Sequence, residues 1–251
     1  MKGLIYRELY LIRKTTVLTL LAYFVFVALL SLVFISTYAG NLRGTEGVIE
    51  GLYPQAYFYA ACIALIGMCY GHNDIIQKDY QSRWQLYSYT LPMSEEKMIA
   101  SKFIVRGMLL LAGLVLAVTA ELILSAAAKM PVSFPHIKNI LIICALMTVG
   151  FSEIPLMLRF KNQNKAATIT LLACAPFMAA MFWFVYKFVD FCSDKAARLY
   201  GEVTDETLAK VFAPYFDKAR DIGIIVAPFF AAGMLLLFFR WSVKELKRRR
   251  Y

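Results

Sequence analysis

Residues 17–38 read VLTLLAYFVFVALLSLVFISTY, a stretch of 22 residues without a charged side chain. An α-helix of about 20 such residues spans the roughly 30 Å hydrocarbon core of a bilayer. Five further apolar stretches of similar length follow along the chain. The sequence therefore predicts an all-α, polytopic membrane protein with six transmembrane helices. The predicted spans are residues 17–38, 52–70, 103–127, 139–158, 166–188 and 222–241.

The composition agrees with a membrane protein. Hydrophobic residues make up 60% of the 251 residues and charged residues only 18%, against averages of about 45–50% and 25% in soluble domains. This balance excludes a disordered or fibrous chain. The five cysteines form no CxxC pair, so neither a structural disulfide nor a zinc cluster is predicted.

The placement of the basic residues predicts the orientation. The chain carries 27 Lys and Arg against 17 Asp and Glu, a net charge of +10. Eighteen of the 27 fall on one side: sixteen lie before span one, between spans two and three, between spans four and five, or after span six, and Arg106 and Arg240 lie at the corresponding ends of spans three and six. The positive-inside rule then places both termini in the cytoplasm. Orientation also accounts for the basic tail at 247–250, so we predict no nucleic-acid binding.

Two segments outside the spans have a helical pattern. Residues 1–14 carry apolar side chains at helical spacing between basic ones, which predicts an amphipathic helix lying flat on the inner leaflet. The outer segment 190–221 is long and mixed in charge, and its pattern predicts a partial helix that ends before Pro214. This segment would form either a cap over an exit or a solvated linker.

The first cytoplasmic loop, residues 71–102, is longer than a turn requires. Tyr80, Trp84 and Tyr87 are spaced i, i+4 and i+7, so they lie on one face of a short helix that Pro92 would end. Large rings of this kind are enriched at protein interfaces. From spacing alone, the three rings could equally anchor a partner protein or rest in the headgroup layer.

A second helix is predicted to begin after this turn. Ser94 is a suitable N-cap residue, and Glu95 and Glu96 would occupy the first turn. Acidic side chains at that position interact favourably with the helix dipole. The helix would lead directly into span three.

Two carboxylates fall within the predicted spans. Glu121 lies in the outward half of span three and Glu153 in the inward half of span four. An intramembrane carboxylate is costly and often functional, and neither residue has a basic neighbour one helical turn away. Each could line a transport path or make a hydrogen bond between helices. Gly150 and Pro155, close to Glu153, could also open the helix locally.

Motifs of catalysis are missing from the sequence. The G-x-x-x-x-G-K-[ST] phosphate loop and the G-x-S-x-G nucleophile motif do not occur, and the two histidines, His72 and His136, fall on opposite sides of the predicted bilayer. We therefore predict no catalytic and no metal-binding residues. A membrane scaffold or sensor that only binds a cytoplasmic partner, or an enzyme with unrecognised residues, remains an alternative.

The chain nevertheless resembles a known family. The resemblance rests on the leader MKGLIYREL at 1–9, the six spans, the long outer segment, and the loop from DYQSRW at 79–84 to TLPMS at 90–94. In these features the chain resembles the ABC-2 type permeases, the membrane subunits of bacterial ABC exporters. Among them it is most similar to the Pmt-type exporters of amphipathic, phenol-soluble modulin-like peptides.

This resemblance implies a function and partners. Two permease chains, identical or different, would form a dimer in the bacterial cytoplasmic membrane, in contact with lipid and with an amphipathic peptide substrate. Separate ATP-binding cassette subunits would bind ATP and Mg, and this chain would hold no cofactor. The expected ATPase-coupling residues are Tyr80, Arg83, Trp84, Tyr87, Leu91, Pro92 and Glu95. The expected translocation-path residues are Glu121, Glu153, Phe177, Met178 and Phe182.

Overall fold

The structure is a computed structural model that describes residues 2–39, 46–70, 76, 79 and 93–250. The described residues form helices and short connections without a β-strand. Six helical segments are long and apolar enough to cross a membrane, which confirms the predicted fold class. The helices are α1 (Lys2–Ala39), α2 (Glu46–Tyr70), α3 (Glu95–Ala127), α4 (Phe134–Leu146), a 3-10 turn (Met147–Ser152), α5 (Glu153–Phe160), α6 (Gln163–Tyr200) and α7 (Asp205–Arg250). We call the side predicted to face the cytoplasm the inner end.

Helix α1 is longer than predicted. Residues 2–14 are helical, as expected, but the boundary predicted between a separate interfacial helix at 1–14 and span one is not present. The sequence from residue 4 to residue 39 contains neither Gly nor Pro, so nothing interrupts the helix. The hydroxyls of Thr16 and Thr19 donate to the carbonyls of Ile12 and Thr15 at 3.0 and 2.9 Å, within the helical ladder.

Helix α3 lies at the centre of the bundle and packs against α1, α2 and α7. Its contact with α2 is close because the facing residues are small. A Cβ added at Gly113 would lie only 3.0 Å from the Ala64 carbonyl oxygen and 3.2 Å from the Leu65 Cα. Small residues allow helix backbones to approach in this way within membranes. The small side chains buried in the region are Ala60, Ala61, Ala64, Ala117 and Ala120.

Span four is not a regular helix. Between α4 and α5 the chain turns as a 3-10 helix over Met147–Ser152, next to Glu153. The helix is irregular next to Gly150 and Pro155, but a 3-10 turn is tighter than an α-helix, so this is not the local opening that the sequence predicts. A 3-10 segment within a helix is often a hinge or a strained site.

The outer segment 190–221 is a helical hairpin rather than a partial helix. Helix α6 continues to Tyr200, and α7 begins at Asp205 and runs through Pro214. The predicted end before Pro214 is therefore wrong. Proline removes one backbone hydrogen bond, but the helix is supported by ring contacts on both sides. Phe188 packs edge-on against Phe212 and Tyr215, with centroid distances of 5.2 and 5.7 Å.

Candidate coupling and translocation sites

The predicted coupling residues fall mostly outside the described residues. This applies to Tyr80, Arg83, Trp84, Tyr87, Leu91 and Pro92. Glu95 is the first residue of α3, and Ser94 precedes it with extended backbone angles, as predicted for an N-cap. The Ser94 side chain makes no capping hydrogen bond. Its backbone carbonyl accepts from the amide of Lys97 at 3.1 Å.

Four charged side chains form an ion network at the inner end. Lys102 of α3 donates to Glu8 of α1 at 3.0 Å and to Asp79 of the loop at 2.5 Å. Arg7 of α1 donates to Asp79 at 2.6 Å, and its second terminal nitrogen lies 3.4 Å from Glu8. Charge-assisted hydrogen bonds of this kind are the stronger ones in proteins. The inner ion network of Arg7, Glu8, Asp79 and Lys102 therefore joins α1, the loop residue Asp79 and α3.

The inner ion network is largely buried. Glu8 and Asp79 are 2% and 4% exposed, and the Lys102 side chain is 15% exposed. A small cavity of roughly 30 Å³ lies beside it, with Leu4, Met98 and Leu246 among its other lining residues. Leu246 belongs to α7, so α1 and α7 both reach this cavity, and an even number of spans places their outermost ends on the same side of the membrane.

A second charged pair lies deeper in the bundle. Arg106 of α3 donates to the Glu153 carboxylate at 3.0 Å, and the two residues are 8% and 9% exposed. The guanidinium carbon of Arg106 also lies 5.3 Å from the Phe151 ring centroid, in the 3-10 turn. Glu153 thus makes a buried ion pair between α3 and α5.

The other intramembrane carboxylate, Glu121, is fully buried near the outer end. The Tyr53 hydroxyl donates to Glu121 Oε1 at 2.7 Å, and the backbone amide of Ser133 donates to the same oxygen at 2.9 Å. His136 Nδ1 lies 3.4 Å from that oxygen, and the Tyr57 ring stacks on the imidazole at a centroid distance of 5.3 Å. These contacts join α2, α3 and the start of α4 at the outer end.

The aromatic residues near the outer end of span two separate between the bundle and its surface. They are Tyr53, Tyr57, Phe58 and Tyr59. In the structure Tyr53 and Tyr57 are only 3% and 2% exposed, and they pack into the bundle. Phe58 and Tyr59 do lie on the surface. Rings four apart on a helix share a face, so Tyr53 and Tyr57 both turn towards Glu121.

The predicted path residues on span five lie on an open surface. Phe177, Met178 and Phe182 of α6 are 70%, 42% and 65% exposed. No residue in the apolar window of α6 is buried in the described structure, and the helix packs against α5 and α7. The five predicted path residues therefore separate into two buried carboxylates and an exposed apolar face.

Comparison with protein families decides the class of the protein. The sequence model of one protein family, described as ABC-2 family transporter protein, matches residues 3–200. The chain belongs to the ABC-2 family. It is thus the permease component of an ABC transporter, a transport protein that is not itself catalytic. The match includes α1 to α6, the inner ion network and both intramembrane carboxylates. Neither the curated proteins nor the solved structures contain a match to this permease.

Several residues of these clusters are absent from the sequence-based site predictions. They are Arg7, Glu8, Tyr53, Tyr57, Asp79, Lys102, Arg106 and His136. One signal could have identified part of them: the topology places Arg106 and Glu153 at similar depth near the inner end, and Tyr53, Glu121 and His136 at similar depth near the outer end. Depth alone does not specify which helices are neighbours.

Proposed function

We propose that this permease is the membrane subunit of an ATP-driven exporter of amphipathic peptides, such as toxins or antimicrobial peptides. It would couple to a separate ATPase subunit through the loop 71–102. The observation that carries the proposal is the inner ion network, which attaches this loop to α1 and α3. The network holds Asp79 against α1 and α3, on the side where the ATPase would bind.

The lack of a phosphate loop supports a separate ATPase. ATP and Mg would be bound by that subunit, and Trp84 with its neighbouring rings Tyr80 and Tyr87 would fit into it. Closure of the ATPase on ATP would move the loop, and Pro92 and Glu95 would transmit the movement to spans two and three. Both termini of this permease would lie in the cytoplasm of a bacterial cell.

The exposed face of α6 supports a second permease chain. Phe177 and Phe182 are more than half exposed in the single chain, and burying such rings is favourable. A like or unlike permease would cover part of this face, and the remainder would form an apolar wall. An amphipathic peptide would leave along this wall between the two protomers.

Co-purification tests the proposed coupling. The tagged permease is extracted from native membranes, and stoichiometric partners are identified by mass spectrometry. We expect an ATP-binding subunit that is lost with Trp84→Ala and retained with Trp183→Ala, a matched change on α6. A permease that purifies alone under conditions that preserve other complexes would favour a scaffold or sensor instead.

The substrate class is tested with the reconstituted complex. We expect an amphipathic helical peptide to stimulate ATP hydrolysis and a scrambled peptide of equal composition to have little effect. Phe182→Ala should weaken the stimulation because it removes an exposed ring from the proposed wall. Stimulation by lipids or small antibiotics, without a response to the peptide, would exclude a peptide exporter.

A further inference from the structure

The inner ion network connects parts of the chain that are far apart in sequence. Asp79 is 72 residues from Arg7, and Lys102 is 94 residues from Glu8. We propose that Lys102, near the start of α3, is a positioning residue that links Asp79 of the preceding loop to α1, so that α1 carries movement of the loop across the membrane. This inference rests on the proposed coupling to an ATPase.

Lys102 is central because two chain segments share its single ammonium group. Its Nζ donates to Glu8 Oε1 on α1 and to Asp79 Oδ2 on the loop. Arg7 holds the other oxygen of Asp79 at 2.6 Å. A displacement of the loop relative to α1 must therefore either break a charge-assisted hydrogen bond or move α1 with it.

The surroundings of the inner ion network favour a role in positioning α1, Asp79 and α3 relative to one another over a role in stability alone. Buried ion pairs add little net stability compared with well-packed apolar residues, but removing one partner leaves an uncompensated buried charge. The cavity beside the network is about the size of one water molecule, and Glu8 and Asp79 are among its lining residues. The second carboxylate oxygen of Glu8, Oε2, has no hydrogen-bond partner among the described residues.

Helix α1 is suited to carry such a movement. It continues without interruption from Lys2 to Ala39, a length of about 57 Å at 1.5 Å per residue. The Tyr23 hydroxyl donates to the Leu116 carbonyl of α3 at 2.8 Å. Helices α1 and α3 are thus connected at the ion network and again near mid-membrane, and a shift at the inner end would move both.

The test uses the complete permease–ATPase complex in lipid nanodiscs. Amide hydrogen exchange of residues 2–14 is measured with and without a non-hydrolysable ATP analogue. We expect the analogue to change exchange in the wild type, and Lys102→Met to reduce that change at least threefold. Lys102→Arg should keep the response because it retains the cation. The control Lys138→Met removes an exposed pair with Asp221 near the outer end and should also respond like the wild type.

The outcomes separate this inference from the proposed function. If no ATPase subunit accompanies the wild-type permease, the proposed function itself fails. If the complex forms and Lys102→Met responds like the wild type, the positioning role is wrong. If Lys102→Met prevents assembly, the double variant Glu8→Gln/Lys102→Met decides, since it removes the two charges together. A folded double variant without the response supports the inference, and one that keeps the response overturns it.

Discussion

Replacing Arg106 by leucine should destabilise the permease strongly, because it leaves a buried carboxylate without its partner. Arg106 and Glu153 are each less than 10% exposed, and their nitrogen and oxygen atoms are 3.0 Å apart. The pair joins α3 to the segment where span four changes from 3-10 to α-helical. Its loss therefore affects the packing of two spans.

The expected magnitude follows from the distance. At 3.0 Å and an effective dielectric constant of about 20, the Coulomb attraction is roughly 5 to 6 kcal/mol. Desolvation offsets much of this attraction, and breaking one partner of a buried pair costs about 3 to 5 kcal/mol. We expect that loss of unfolding free energy for Arg106→Leu. The double variant Arg106→Leu/Glu153→Leu should lie within about 1 kcal/mol of the wild type, because no charge remains buried.

A double-mutant cycle measures the coupling between the two side chains. The wild type, both single variants and the double variant are unfolded reversibly in mixed micelles of detergent and SDS, and the unfolding free energies are compared. We expect the double variant to be more stable than either single variant. Single variants within about 1 kcal/mol of the wild type, or a double variant as unstable as the sum of both, would refute the argument.

Three further changes test other contacts. Tyr53→Phe removes the hydroxyl that donates to Glu121 at 2.7 Å, and it should lower the unfolding free energy by about 1 to 2 kcal/mol in the same assay. Gly113→Ala should cost about 1 to 3 kcal/mol because its Cβ meets the α2 backbone, whereas Gly233→Ala, which meets nothing within 4 Å, should be neutral or stabilising. Lys129 follows the end of α3 with a φ of 51°, a left-handed conformation that glycine adopts more readily. Lys129→Gly should therefore increase the unfolding free energy by about 0.5 to 1 kcal/mol, measured as a rise in the thermal midpoint. No rise would show that the Lys129 side chain makes stabilising contacts of similar size.

Sequence reasoning succeeded where the signal is local. The start of α3 after Ser94 and the position of the irregular helix near Gly150 both follow from residues within a few positions of the feature. Prediction from the sequence failed where tertiary packing overrides a local preference. The helix predicted to end before Pro214 continues because Phe188 and Phe212 hold the hairpin together, and no property of neighbouring residues contains that information.

The sequence by itself determined the six spans, their order and the absence of a nucleotide-binding motif, because apolar length and short motifs are properties of continuous segments. The ABC-2 resemblance also came from such segments, and the family match confirmed it. Only the tertiary structure decided that Arg106 pairs with Glu153, that Tyr53 binds Glu121, and that Lys102 lies between two carboxylates. These contacts depend on which helices are neighbours and how each is rotated about its axis, and both are set by packing of the whole bundle.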